Sequence, residues 1–231
     1  MDKVKTGVSG LDEMLGGGVP RSHTVVVMGS FGTGKTTFGL QFLAQGLREG
    51  EKGIFITLEE DEESIIADAS AFGWDLRTPV EEERLNIVKL EPTDALSTVS
   101  KIKSDLPKFI QSFGASRIVL DSISLLNMMF DSEQEKRSNL FNLSKMIKDT
   151  GATCVMTAEV RDDNPVASRD GLVEYTADGV VVLQYEEPAD KGEIRLTLRV
   201  VKMRRTDHSR RVRPYSISSE GILVHSQAEV F

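Results

Sequence analysis

Several features that would point to particular protein classes are scarce or absent in this sequence of 231 residues. It has one cysteine, Cys154, so no disulfide framework can form within the chain. No apolar run approaches the roughly 18 residues of a membrane-spanning helix, and the opening residues lack the apolar core of a signal peptide. These absences argue against a secreted disulfide scaffold and against a membrane protein, and we expect a cytoplasmic location.

Positive charge is also in short supply. The chain has 28 Lys and Arg against 36 Asp and Glu, which gives a net charge of −8. This balance argues against a general nucleic-acid coat, although a local basic site remains compatible with it. Hydrophobic residues make up 39% of the chain and charged residues 28%, as is ordinary for a well-packed protein. The length suits one large α/β domain, so we predict that residues 1–231 form a single domain.

Short apolar runs alternate with segments of helical periodicity over the first 160 residues. The runs typical of strands are TVVVMG (24–29), GIFITLEE (53–60), LNIVKL (85–90), RIVLDS (117–122) and ATCVMTAE (152–159). Continuous β-branched runs separated by helices predict a mainly parallel sheet flanked by helices. One of these helices is predicted from about Asp94 to Phe113, with Pro107 kinking it or starting it afresh. After residue 178 the apolar runs are separated only by turns, which predicts antiparallel C-terminal strands that extend the sheet.

The stretch GSFGTGKT, from Gly29 to Thr36, matches the phosphate-loop pattern G-x-x-x-x-G-K-[ST]. It follows a predicted strand and opens a predicted helix, so its backbone N–H groups and the helix N-terminus can cradle phosphate. We predict that the loop binds a nucleotide, with Lys35 reaching the β- and γ-phosphates and the Thr36 hydroxyl ligating Mg²⁺. The predicted contacts are Gly29, Ser30, Phe31, Gly32, Thr33, Gly34, Lys35, Thr36 and Thr37.

Three acidic residues are candidates for the remaining chemistry. Asp121 ends an apolar strand and is predicted to share the magnesium ion with Thr36, the alternative being a helix or turn cap. Glu59 and Glu60 end the strand that follows the phosphate-loop helix, and one of them is predicted to orient water for attack. If that strand lies beside Val25–Met28, both carboxylates reach the edge of the sheet where ligands bind. A solvated acidic run is the alternative, and the sequence does not choose between the two glutamates.

Positive charge is concentrated in one stretch, KMRRTDHSRRVRP (202–214). Its first twelve residues hold six Lys or Arg and a single acid, Asp207. A basic cluster usually faces an anion such as nucleic acid, lipid or nucleotide phosphate. Because the stretch lies between two predicted strands, we expect it to form a loop that projects from the edge of the sheet.

Together these motifs resemble the RecA-type ATPases, and within them the KaiC-like group. The similarity rests on TGVSGLDEMLGGGVPR (6–21), FITLEE (55–60), VLDS (119–122), VMTAE (155–159) and KMRRTDH (202–208). These motifs occur in the family's order, and the resemblance runs from about Lys5 to Ser226. It implies a homohexameric ring that holds ATP and Mg²⁺ at subunit interfaces and hydrolyses ATP slowly. It also implies a nucleotide-driven switch that signals to a protein partner, so far unidentified.

The resemblance gives the basic stretch a role. Lys202 and Arg204 occupy the positions of a K-x-R that reaches the neighbouring subunit's γ-phosphate in KaiC-like proteins, and Thr206 and His208 match residues that line the nucleotide across the interface. The planar guanidinium of Arg204 also suits the charge of a phosphoryl-transfer transition state. Three arginines match no family position and are expected to be solvated: Arg210, Arg211 and Arg213.

Two further functions stay open. One is a DNA-binding recombination ATPase like the RadA paralogues, in which these arginines and the mobile-looking segment 161–171 contact a single strand. The net charge makes DNA binding the less favoured reading. The other is a nucleotide-bound scaffold without turnover. Glu174 and Tyr175 stand where the doubled family members carry a Ser-Thr phosphorylation pair, so autophosphorylation is not expected.

Overall fold

The computed structural model of the chain describes residues 2–90, 104–161, 163–186 and 194–228. The strands in these ranges are β1 (Lys3–Val4), β2 (Val19–Pro20), β3 (Thr24–Gly29), β4 (Gly53–Thr57), β5 (Leu85–Lys89), β6 (Arg117–Asp121), β7 (Thr153–Ala158), β8 (Val160–Arg161), β9 (Asn164–Ser168), β10 (Gly179–Glu186), β11 (Arg195–Met203), β12 (Arg213–Ser218) and β13 (Gly221–Val224). The helices are α1 (Leu11–Met14), α2 (Lys35–Arg48), α3 (Glu62–Ala71), α4 (Arg77–Glu81), α5 (Leu106–Phe113), α6 (Ile123–Met128), α7 (Glu133–Asp149) and α8 (Val173–Thr176).

In the described ranges nine strands form one sheet, in the order β13-β12-β11-β10-β3-β7-β6-β4-β5. The strands from β10 to β5 run parallel to one another, and β11, β12 and β13 extend the sheet in antiparallel fashion. The predicted fold class is therefore confirmed. One detail was wrong: β10 was grouped with the antiparallel strands, but it pairs in parallel with β3, Gly179 lying opposite Val25. Its apolar run is continuous because it is buried within the parallel part of the sheet.

The condition considered for β4, a position beside Val25–Met28, is not met. Strands β7 and β6 lie between β3 and β4. Crossover connections set this strand order, and the hydrophobic pattern of an individual strand does not predict which strands lie beside it. Since all these strands run parallel, β4 nevertheless ends at the same edge of the sheet as β3.

The core has two layers, one on each face of the sheet. Along β3, Val25 and Val27 pack with α2 and α3, whereas Val26 and Met28 pack with α5, α6 and α7. All four side chains are almost completely buried. Each parallel strand is thus covered on both faces, which is the physical reason for its unbroken apolar sequence.

Most of the predicted helices are present and end where their capping residues indicate. Ser132 accepts a hydrogen bond from the Glu135 N–H at 3.2 Å and so caps the start of α7. Pro107 lies in the first turn of α5, where a proline is tolerated. The rest of that predicted helix, residues 94–103, falls outside the described residues. In the described ranges no helix is both long and apolar enough to span a membrane.

The short elements are those that sequence patterns missed. Helices α6 and α8 have only six and four residues, too few to show a helical period. Within the segment 161–171, expected to be a loop, residues Asn164–Ser168 form β9, which pairs with β8.

Candidate functional site

Four parallel strands end at one edge of the sheet, which we call the carboxyl edge, and bring polar residues together there. The phosphate-loop residues follow β3, the two glutamates follow β4, Asp121 ends β6, and Glu159 follows β7. The carboxyl edge of a parallel sheet is where α/β proteins bind their ligands.

The phosphate loop depends on its glycines. Gly32 and Gly34 have φ angles of 71° and 86°, a region that other residues adopt with strain. At Gly29 a Cβ atom would lie 2.6 Å from the carbonyl oxygen of Leu183 and 2.6 Å from the hydroxyl of Thr33. The conformation and the close packing both require glycine, so the loop keeps its backbone exposed to an incoming phosphate.

Two side chains of the loop fold back onto the same carbonyl group. The Thr33 hydroxyl donates to the Ser30 carbonyl oxygen at 2.8 Å, and the Lys35 ammonium donates to it at 2.9 Å. Burial lowers the pKa of Lys35, while the negative charges of Asp121, Glu159 and Glu59 oppose that shift. A half-buried ammonium group with a neutral carbonyl partner has a strong electrostatic preference for an anion.

Asp121 and Thr36 meet, as the predicted magnesium site requires. The Thr36 hydroxyl donates to Asp121 Oδ2 at 2.7 Å, and the buried Thr157 hydroxyl donates to Asp121 Oδ1. The alternative role of Asp121 as a cap is not observed, because Ser122 caps α6. Within the described part of the chain no group of three or more His, Cys, Asp and Glu residues could hold a metal ion. One hydroxyl and one carboxylate fit Mg²⁺, which prefers oxygen ligands and shares its coordination with water and substrate phosphates.

Glu59 and Glu60 lie in the turn after β4. The strand ends at Thr57, whose hydroxyl accepts hydrogen bonds from the N–H groups of Glu59 and Glu60 at 3.2 and 3.1 Å. The expectation that both residues end the strand was therefore wrong. Glu59 is exposed and Glu60 half-buried. Burial, followed by the nearby charges of Asp68, Asp121 and Glu59, raises the pKa of Glu60.

Two tyrosines hold the phosphate loop, and sequence reasoning missed both. The hydroxyl of Tyr185, in β10, donates to the Phe31 carbonyl oxygen at 2.6 Å. The hydroxyl of Tyr215, in β12, donates to the Thr33 carbonyl oxygen at 2.6 Å, and burial raises its pKa. No local motif marks either residue, because the contacts arise from strand order. The Phe31 side chain itself is 88% exposed at the tip of the loop.

Lys202 and Arg204 lie at the opposite end of the same strands, which we call the amino edge. Lys202 was expected to lie in a loop between two strands, and this was wrong. It lies in β11, next to a bulge at which the pairing with β10 shifts by one residue. Its ammonium donates to the carbonyl oxygens of Glu174 and Ala177 at 3.1 and 2.6 Å. Arg204 follows the strand, and its Nη1 lies 3.3 Å from Asp178 Oδ1. Burial and the nearby charge of Arg204 lower the pKa of Lys202.

The amino edge and the phosphate loop of one chain are far apart. Met203 pairs with Gly179 at the start of β10, and Gly29 pairs with Leu183 further along that strand. With a rise of about 3.3 Å per residue, the separation along the strands between these two pairs is roughly 13 Å. The structure brings together the predicted contacts of the phosphate loop, but it does not bring Lys202 and Arg204 to that loop.

The remaining residues of the basic stretch lie in the connection from β11 to β12 and at the start of β12. His208 is half-buried and its Nδ1 lies 3.1 Å from the Ser209 carbonyl oxygen, while the Ser209 N–H donates to the Met14 carbonyl oxygen at 2.8 Å. Thr206 is half-buried as well. Arg210 and Arg211 are exposed, as expected. Arg213 is not solvated: it begins β12, is buried, and donates to the Ala228 carbonyl oxygen at 2.5 Å.

Comparison with known proteins gives a consistent picture. A family model described as "ATPase: KaiC" matches residues 4–229. A solved structure, described as a KaiC-like protein from the hyperthermophilic archaeon Pyrococcus horikoshii, superposes with a TM-score of 0.85 at 33% identity, covering 97% of this chain and 99% of that one. A UPF0273 protein of Methanopyrus kandleri is 33% identical, over 97% of this chain and 92% of its own length.

The chain is also similar to longer proteins. It is 35% identical to a circadian clock oscillator protein KaiC of Prochlorococcus marinus, over 97% of this chain. It spans only 45% of that clock protein's length. The similarity to the clock proteins is therefore limited to one region of a longer polypeptide.

Proposed function

The chain belongs to the KaiC family of ATPases, and from this premise we propose that it binds Mg-ATP at the phosphate loop and hydrolyses it slowly, with the help of a neighbouring copy of itself. The observation that carries the proposal is the separation of two sets of residues. The phosphate-binding residues and the acids lie at the carboxyl edge, whereas Lys202 and Arg204 lie at the amino edge.

At the carboxyl edge, the loop backbone and Lys35 bind the phosphates. Lys35 exchanges the neutral Ser30 carbonyl for a charged phosphate oxygen, a stronger acceptor. Thr36 and Asp121 would hold the magnesium ion, which supplies neutralisation of charge on the β- and γ-phosphates. Thr157 keeps the Asp121 carboxylate oriented by donating to its other oxygen. Backbone N–H groups, an ammonium group, hydroxyl groups and a carboxylate at one edge thus serve binding.

Glu59 or Glu60 orients the attacking water in this proposal. Both backbone N–H groups are fixed by Thr57, so the carboxylates belong to a defined turn. The raised pKa of Glu60 makes it a better proton acceptor than an ordinary glutamate, while Glu59 is the more exposed of the two. The two remain equal candidates.

Lys202 and Arg204 act on the nucleotide of a neighbouring subunit. Their distance from their own phosphate loop supports this arrangement. Contact between two different surfaces is a heterologous interface, which closes into a ring when the rotation permits. We propose a homohexamer on family grounds, and native mass spectrometry with and without Mg-ATP measures the number of subunits.

Complementation between inactive variants tests this function. Arg204→Ala should bind ATP but hydrolyse it roughly 10³–10⁵-fold more slowly, the range measured for arginine fingers. Glu59→Gln/Glu60→Gln should also be inactive. In an equal mixture with free subunit exchange, about a quarter of the heterologous interfaces combine an intact arginine with intact glutamates. Phosphate release should return to that extent.

The control is each variant incubated alone under the same conditions, with exchange verified by native mass spectrometry of isotopically labelled subunits. If exchange occurs and no activity returns, Arg204 does not act between subunits. Binding of single-stranded DNA, measured with and without ATP, is then the next function to examine for the basic residues.

The switch role completes the proposal. An interface that contains the nucleotide changes its contacts when ATP becomes ADP, and a partner protein that reads the interface can respond to that change. Autophosphorylation is not part of the proposal. Glu174 has no hydroxyl group, and its carboxylate accepts hydrogen bonds from the backbone N–H (3.1 Å) and the hydroxyl of Ser168.

A further inference from the structure

A buried carboxylate at the amino edge has no role in the function described so far. Asp178 lies just before β10, and its side chain is only 4% exposed. It accepts hydrogen bonds from the Thr24 N–H at 3.1 Å and from the Lys148 ammonium, and it pairs with the Arg204 guanidinium at 3.3 Å. Its backbone carbonyl also accepts from the Arg204 N–H at 2.9 Å. Asp178 therefore connects the start of β3, the end of α7 and the residue after β11.

The two partners in the Arg204–Asp178 pair differ in exposure. The Asp178 side chain is 4% exposed, whereas the Arg204 side chain is 50% exposed. The contact uses one Nη nitrogen of Arg204, and a guanidinium carries five N–H donors. One side of the guanidinium group is thus held by the protein, while half of the side chain stays accessible to a ligand.

Asp178 is held independently of Arg204. Thr24 and Lys148 fix the carboxylate from two other elements, so its position does not depend on the arginine. Burial acts to raise its pKa, but the hydrogen bonds from Lys148 and Thr24 outweigh burial and lower it, which keeps the carboxylate ionised. A buried, well-held anion beside a half-exposed cation is suited to setting the direction of that cation.

We propose that Asp178 is a positioning residue for Arg204, which holds the guanidinium ready for the phosphate bound by the neighbouring subunit. The inference rests on the proposed function, because Arg204 is the group that touches the phosphate. Without the anchor, the long side chain must lose more rotamer entropy on reaching the transition state, and a guanidinium displaced by about 1 Å loses much of its stabilising effect.

The variant Asp178→Asn tests the proposal. Asparagine keeps the shape and can still accept from the Thr24 N–H, but it removes the charge that attracts Arg204. We expect kcat for ATP hydrolysis to fall roughly 10- to 100-fold, since small misplacements of catalytic groups cost that much. The KM for ATP should not change, because the phosphate loop lies at the other edge. A role in folding alone would lower the thermal unfolding temperature and leave kcat per folded molecule unchanged.

Lys145→Met is the matched control. It removes an exposed ammonium group earlier on α7 that pairs with Asp149, and it leaves the contacts of Asp178 in place. Its loss should leave kcat within about twofold of wild type. If Asp178→Asn fails to fold, Asp178→Glu keeps the buried charge while shifting the anchor by one methylene group, and kcat should then fall several-fold.

A double variant separates the failure of this inference from the failure of the proposed function. Asp178→Asn should have no further effect on kcat in the Arg204→Ala background, because two residues that act through one contact are not additive. An equal additional loss in that background, or a wild-type or faster kcat in both Asp178 variants, overturns the positioning role. If Arg204→Ala alone keeps the wild-type rate, Arg204 does not act on the phosphate. The proposed function of Arg204 is then wrong, and so is the positioning role of Asp178.

Discussion

The carboxyl and amino edges of the sheet carry opposite kinds of chemistry. At the carboxyl edge, strand ends present the phosphate loop and the acids Glu59, Glu60 and Asp121. At the amino edge, the end of β11 presents Lys202 and Arg204. One end of the sheet is suited to hold a nucleotide with its metal ion, and the other to approach an anion from outside. Neither edge of a single chain holds both sets of groups, so the site that we propose requires two copies of the chain.

The two edges nevertheless hold their lysines in the same way. Lys35 donates to the Ser30 carbonyl, and Lys202 donates to the carbonyls of Glu174 and Ala177. Burial lowers the pKa of both lysines. Neutral carbonyl partners keep a partly buried ammonium group in place without neutralising its charge. Both lysines are therefore oriented before any phosphate arrives.

The largest expected effect at the carboxyl edge is on the rate of hydrolysis. Glu59→Gln/Glu60→Gln keeps the size of both side chains but removes the carboxylates, so ATP should stay bound while phosphate release falls about 10²–10⁴-fold. Single-turnover kinetics with labelled ATP measures both quantities. The two single variants identify the base, and normal release by the double variant would move the role to another acid, with Glu159 the next to test.

A smaller effect, on binding, is expected for Lys35→Ala. The variant loses a charged hydrogen bond to phosphate, which corresponds to roughly 10- to 100-fold weaker ATP binding. Calorimetric titration of the folded variant measures this change. Lys35→Ala should restore activity when mixed with Arg204→Ala, because their defects lie at opposite edges. It should not do so with Glu59→Gln/Glu60→Gln, because both defects then lie at the same edge, and recovery in that mixture would contradict the division between the edges.

The sequence predicted the carboxyl edge better than the amino edge, for a physical reason. A phosphate loop is a local structure: eight consecutive residues contain the glycines, the lysine and the hydroxyl, and the strand and helix beside them are visible as patterns. Asp121 could be placed because parallel strands end at one edge. The contacts of Arg204 with Asp178 and of Lys202 with Glu174 join residues 26 and 28 positions apart. Only the pairing of β10 with β11 creates them.

The tyrosine contacts show that the C-terminal strands contribute side chains to both edges of the sheet. The antiparallel extension contains Lys202 near the amino edge, and its strand β12 supplies Tyr215 to the phosphate loop. The adjoining β10 supplies Tyr185 to the same loop. Strand order was not readable from sequence, so the second support of the loop could not be predicted. This sharing implies that small changes in β12 affect nucleotide affinity as well as stability.

The smallest expected effects come from removing the hydroxyl groups of these two tyrosines. We predict that the two removals weaken ATP binding to different extents. Tyr215 is 4% exposed and Tyr185 is 36% exposed. In Tyr215→Phe the Thr33 carbonyl loses its buried donor, whereas in Tyr185→Phe water can replace the donor to the Phe31 carbonyl. We therefore expect ATP binding to weaken roughly 3- to 10-fold in Tyr215→Phe and by about twofold or less in Tyr185→Phe.

Calorimetric titration with ATP, together with thermal unfolding of each variant, measures the difference. Each substitution removes a single oxygen atom, so the pair is its own matched control. A larger loss of affinity in Tyr185→Phe would show that access to water does not decide how strongly these hydroxyls support the loop. Equal affinities in wild type and both variants would mean that the loop keeps its shape through its glycines alone, and that the C-terminal strands contribute only to the amino edge.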